Sequence, residues 1–305
     1  MNAGISTPIK IKQNREDRVF SLATYVLATL ALLATLYPLL YVVSASISSP
    51  LQVVSGKMWL LPKDITFTAY KKVVQNSSLW LGYYNTILYT VVGTLINLAM
   101  TVMGAYPLSK RDLKGKNGVV ILCTLTMFFS GGLVPNFLLI RDLGIYNTFW
   151  VMVLPGAIST HNLLIMRNYF QNSVSTELCE AACIDGCTNT GTLLRIILPI
   201  SKSILAVMTV FYAVAHWNSY FNAMIYLNNR DRYPLQLVLR EILLTGASTG
   251  FEQTGDVVIN TVDELLSFET LKYAVILVAS VPMLLLYPAL QKHFAKGVMV
   301  GSIKG

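Results

Sequence analysis

The chain has 305 residues, 54% of them hydrophobic and only 12% charged, with a formal net charge of +8. A soluble domain carries about a quarter charged residues, so this balance excludes an ordinary water-soluble protein and points to a membrane one. The basic residues lie at the ends of apolar runs, where topology uses them, and no basic stripe with interleaved aromatics marks a nucleic-acid surface.

Residues 1–18 form a polar tail with Lys10, Lys12, Arg15 and Arg18. The apolar run that follows, about 19–43, is long enough to span a bilayer and lacks the small-residue cleavage site of a secretory signal, so it reads as a retained first span. Pro38 is expected to kink it near its outer end. Residues 44–81 are mixed, with turn signals at Ser48-Ser49-Pro50 and Leu61-Pro62-Lys63-Asp64. Phe67, Tyr70, Val73 and Val74 recur at helical spacing beside Lys71 and Lys72, which predicts a short helix in the membrane interface. Further spans are expected at about 82–105, 119–140, 148–166, 200–227 and 271–290. The fold class is therefore an all-α membrane protein with six transmembrane helices. A single transmembrane domain covers 19–293, a tail 294–305 follows, and 228–268 has no assigned structure.

With the first residue inside, the inner segments hold fourteen of the 23 Lys and Arg residues. That bias places both termini in the cytoplasm. Every Asp and Glu falls outside the six span cores, so no buried carboxylate is available to carry protons or bind sodium, as an ion-coupled secondary carrier would need. No clustered nucleophile or metal set marks a membrane enzyme either.

Residues 174–199 form a charged, amphipathic island between the fourth and fifth spans. Ser175 or Thr176 can cap a helix start, Glu177 falls in the first turn where the dipole favours a carboxylate, and Gly186 can take the left-handed conformation that stops a helix. Pro199 suits the first turn of the next helix. Cys179, Cys183 and Cys187 follow an i, i+4, i+8 spacing, but Gly186 separates the last from the helix and no fourth ligand is near, so packing is the better reading than metal. Gly186 to Thr192 echoes a phosphate loop without its lysine, and no ATP site is expected on this chain.

The same island spells Glu180-Ala181-Ala182, three residues, Gly186, nine residues, then Ile196-Ile197-Leu198-Pro199, which resembles the EAA loop of ABC importer permeases. Nearly the whole chain is similar to the type I carbohydrate branch that serves oligosaccharides derived from complex polysaccharides in Gram-positive bacteria. The resemblance rests on Asn85-Thr86, Gly131 to Pro135, Leu143 to Thr148, Trp217-Asn218, Tyr233 to Gln236 and Lys296 to Gly305. It departs at Ser175, where the family usually has proline, and at the three loop cysteines. The resemblance implies a non-catalytic permease subunit in a bacterial cell membrane. Its partners would be a second related permease, two ABC ATPase subunits and an extracellular lipid-anchored solute-binding protein. No cofactor would bind this chain, ATP and magnesium being held by the ATPase. The implied ATPase-coupling residues are Glu177, Glu180, Ala181, Ala182, Asp185, Gly186 and Pro199, and the tail from Lys296 is a second contact candidate.

A sugar path needs stacking aromatics and hydrogen-bonding groups on broken helices. The sequence offers Asn136, just after a glycine pair expected to loosen the third span, and Tyr212, His216, Trp217, Asn218, Tyr220 and Asn222 in the polar, aromatic part of the fifth. His161 and His216 read as packed, not catalytic. Two rival readings stay open: the same permease fold for a peptide or amino acid, and an ion-coupled secondary carrier.

Overall fold

A computed structural model describes residues 14–248, 266, 268–285 and 288. The tail residues Lys10 and Lys12 and the segment from Lys296 to Gly305 lie outside the described residues. Among the described residues there are helices and turns but no strand. The chain divides into two compact units, one of residues 1–70 with 259–277 and one of 71–258 with 278–305.

In the first unit, helix α1 (Arg15–Ser46) opens on a capping box, with Asn14 Oδ1 accepting from the Arg15 N–H at 2.8 Å and the Asn14 N–H donating to Asp17 at 3.1 Å. It runs past Pro38 as one helix of 32 residues, about 48 Å long at the usual helical rise. None of its apolar window is buried within the chain. A helix that is apolar all round and unburied among the described residues is suited to lipid. Its last turn is different: Ala45 packs with Val53 of α2 (Pro50–Val54) and with Met58, flanked by Tyr41 and Tyr273. Ser44 and Ser48 bond the loop that follows, Ser44 Oγ donating to the Leu60 carbonyl at 2.6 Å and Ser48 Oγ accepting from the Lys63 N–H at 3.2 Å. The expected interfacial helix is α3 (Thr68–Gln75), which begins in this unit and ends in the other; its Ala69 and Val73 are buried and Val74 is exposed.

The second unit is built on α4 (Ser77–Ser109), capped by Asn76 through the Leu79 N–H. After it come α5 (Lys116–Phe128), α6 (Leu133–Asp142), a 3-10 turn at Phe149–Met152, α7 (Thr160–Ser173) and α8 (Thr176–Ile184). Then follow α9 (Asn189–Thr192), a π turn at Leu193–Ile197, α10 (Leu198–Ile200), α11 (Lys202–Trp217), α12 (Tyr220–Tyr226), a 3-10 turn at Arg230–Arg232 and α13 (Leu235–Ser248). The last described helix, α14 (Phe268–Leu285), begins in one unit and ends in the other.

Among the described residues, three helices, α1, α4 and α14, are long and apolar enough to cross a membrane, or five segments if each of two bent pairs counts as one span. The run expected as one third span, loosened at its glycine pair, is two helices, α5 and α6, bent by 114°. Gly132 at φ +86° permits that corner, where an L side chain would be strained. The expected fourth span, 148–166, is likewise interrupted, its first part being a 3-10 turn and α7 starting only at Thr160. The fifth, 200–227, breaks after Trp217. Residues 228–248 are not unstructured, since they hold the Arg230–Arg232 turn and α13.

Glycines eleven apart, Gly82, Gly93 and Gly104, recur every three turns along one stripe of α4. A Cβ at Gly82 would lie 3.2 Å from the Leu235 Cα, and one at Gly93 would lie 2.4 Å from His216 Nε2. The stripe thus lets α13 and α11 approach the α4 backbone, as small residues do between membrane helices. Around α4 two apolar cores form. One joins Val102, Ala105 and Tyr106 with Met166, Phe170, Ile197 and Met208. The other joins Tyr89 with Val151, Val153, Ala223, Tyr226 and Leu237.

Candidate functional site

The 174–199 island begins with a short helix, α8, held at one end by a side-chain cap and at the other by its own backbone. Ser175 Oγ accepts from the Leu178 N–H at 3.3 Å, so Ser175 takes the capping role. At the other end the Cys187 N–H donates to the Ala182 carbonyl at 2.8 Å and the Gly186 N–H to the Cys183 carbonyl at 3.0 Å, with Gly186 at φ +78°. This is the six-to-one, five-to-two pattern of a Schellman stop. Nothing lies within 4 Å of where a Gly186 Cβ would sit, so the glycine is required by conformation alone. Of the two motif alanines, Ala182 is buried and packs inward while Ala181 is exposed. Glu177, Glu180 and Asp185 are exposed beside Ile184, an apolar side chain left 87% exposed. The segment from α8 to its C-cap therefore leaves one large apolar side chain and three carboxylates open to solvent on this chain.

From α8 the chain turns through α9, capped by Thr188 at the Gly191 N–H, and the π turn, whose Leu193 and Ile197 are buried. Pro199 sits in the first turn of α10 and is exposed. The axis then bends by 84° into α11. Lys110, which ends α4, faces this segment. Burial pulls its ammonium down, but Tyr106 and Cys179 beside it push it up further, and its pKa stands above the ordinary lysine value.

α11 is tied to α4 by a buried polar seam. The Thr101 and Tyr212 hydroxyls are 2.7 Å apart. Asn97 donates through Nδ2 to the carbonyls of Gly156 at 3.0 Å and Ala157 at 2.9 Å, which leaves its Oδ1 to accept from His216 Nε2–H at 2.6 Å. Trp217 is buried, edge-on to Tyr83 at 6.1 Å between centroids. Toward the start of α4, Asn85 Nδ2 donates to the carbonyls of Asp231 at 2.7 Å and Tyr233 at 3.1 Å, and the Leu235 N–H donates to Thr86 Oγ1 at 2.7 Å. Asn147, held at φ +52°, accepts through Oδ1 from the backbone N–H groups of Asn228 and Asn229, and its carbonyl accepts from Arg232. Three segments that carried the resemblance, around Asn85-Thr86, Asn147 and Tyr233-Pro234, are therefore one fastening.

No protein-family model matches the chain. The polygalacturonan/rhamnogalacturonan transport system permease protein YtcP of Bacillus subtilis (strain 168) is 37% identical, over 95% of this chain and 100% of its own. The chain belongs to the carbohydrate ABC importer permeases. Protein LplC of the same organism is 40% identical over 89% of this permease and 90% of its own length. A solved bacterial ABC transporter involved in the import of the acidic polysaccharide alginate matches with a TM-score of 0.84 and 35% identity, over 93% of this permease and 100% of that chain.

The permease divides its path candidates into two sets. Tyr212, His216 and Trp217 are engaged within the seam, whereas Asn136, Asn218, Tyr220 and Asn222 are exposed on this chain, three of them at the α11–α12 break. His161, expected to be packed, is exposed at the start of α7. Sequence reasoning missed Asn97, Gly93 and Ile184. The eleven-residue glycine spacing was a usable signal for the second; Ile184 could have been noticed as the apolar residue just before an acidic C-cap.

Proposed function

We propose that this permease takes up an oligosaccharide handed over by an extracellular solute-binding protein, and that a separate ATPase drives it through α8. The observation that carries the reading is α8 itself, a rigid, doubly capped helix that presents Ile184 and its carboxylates outward and continues through the π turn into α11. In this mechanism an ATPase that binds and hydrolyses ATP with magnesium moves α8, the bend before α11 redirects that motion, and the Asn97–His216 and Thr101–Tyr212 pairs carry it into α4. Tyr220 and Asn222 at the α11–α12 break, with Asn136, are then the exposed groups of this chain that meet sugar, while Asn218 beside them donates through Nδ2 to the Val214 carbonyl at 2.9 Å. The unburied apolar surfaces of α1 and α5 support a second, related permease subunit as partner. Both termini lie in the cytoplasm, in keeping with the distribution of Lys and Arg. The sugar class is supported by a relative named for polygalacturonan/rhamnogalacturonan transport and by a solved importer of alginate.

The reading is tested by purifying the permease with its co-expressed neighbours and measuring ATP hydrolysis with and without binding protein and sugar. The expected result is co-purification of an ATPase and sugar-dependent stimulation. Uptake that follows an ion gradient after loss of every ATPase partner would overturn it.

A further inference from the structure

The loop that closes α4 and the first turn of α8 border a crevice of about 1310 Å³. Lys110, Arg111, Lys114 and Lys116 line it from the loop, against the carboxylates of Asp112 and Glu180. Lys116 Nζ donates to the carbonyls of Lys110 at 2.9 Å and Arg111 at 3.2 Å, which folds the loop back on itself and gathers the cations on one wall. None of the ion pairs among the described residues involves these side chains. Four cations against two carboxylates leave the crevice net positive, which favours an anion there. From the other wall Ser175 and Thr176 open on the same space, so the positive end of the nine-residue helix α8 adds its field to the cations. The loop directly continues an apolar span, at the depth where headgroup phosphates lie if α4 crosses the bilayer.

We propose that this crevice is a phosphate site, filled by the headgroup of an anionic phospholipid or by a soluble phosphate, with Arg111 and Lys114 as its principal binding residues. Arg111 supplies the planar fork that matches phosphate oxygens, and Lys114 supplies a point charge. Lys110 lies beside Cys179 of α8, so an anion here braces the end of α4 against the start of α8. The binding does not depend on how α8 is driven.

The test uses the full-length permease with its accompanying subunits in phosphatidylcholine nanodiscs and reads the thermal unfolding midpoint. One arm adds millimolar inorganic phosphate against chloride of equal ionic strength; the other replaces part of the lipid with phosphatidylglycerol. A rise of about 2–4 °C is expected in at least one arm, abolished by the double substitution R111Q/K114Q and retained in the control R15Q/R18Q. A shift with phosphatidylglycerol alone identifies the lipid headgroup, and one with phosphate alone a soluble ligand. No shift in either arm overturns the site, as does equal loss in both variants, which would mean general surface charge.

Discussion

α8 and the α4–α11 seam are held by opposite means. The bonds that shape α8 join residues no more than five positions apart, Ser175 to Leu178 and Ala182 to Cys187, and only Ala182 of its nine residues is buried. The bonds of the seam join residues 111 and 119 positions apart and lie inside the protein. One region is a local object exposed on this chain; the other exists only because distant segments meet. Damage to α8 should therefore leave the fold intact and stop transport, while damage to the seam should lower stability first.

The largest effect is expected from Gly186→Pro, whose ring fixes φ near about −65° where the Schellman stop needs the left-handed region. Sugar uptake should be lost while immunoblots show an unchanged membrane level, and Glu180→Lys should do the same by reversing charge beside Ile184. If either variant fell out of the membrane, the independence of α8 would be refuted. Gly93→Val comes next. Its side chain drives into His216 and parts the seam, at a cost of about 3 kcal/mol, read as a lower unfolding midpoint of the purified protein. A third substitution sharpens the contrast: Ile184→Ala should leave the midpoint within error, as exposed truncations do, yet cut uptake about tenfold by removing a partner anchor. The smallest effect belongs to Ser175→Ala, which removes one cap bond at about 1 kcal/mol; faster amide exchange over Thr176 to Leu178 would detect it without a change in the core.

The same contrast explains what could be read from the residues in advance. A hydroxyl cap at Ser175 or Thr176 and the stop at Gly186 are decided by chemistry within a few residues and were legible, whereas Pro199, expected to open the fifth-span helix, sits in a three-residue turn before the 84° bend into α11. The 114° corner between α5 and α6 was half legible: the glycine pair announced a weak point, but a hydropathy run does not reveal how far the axis turns. Tyr212, His216 and Trp217 were singled out as polar or aromatic groups in an apolar run, and their side chains are spent on Thr101, Asn97 and Tyr83. Residue type identified them as costly to bury without partners; it could not say whether the partner was sugar or the protein itself.

By itself the sequence determined the membrane setting, the helical class and the shape of α8, because apolar run length and end-capping are properties of contiguous residues. Tertiary structure alone decided where the runs break, which of the glycines on α4 meet His216 and Leu235, and which polar side chains remain unengaged. Those outcomes depend on shape and hydrogen-bond complementarity between helices more than a hundred residues apart, which no local periodicity records.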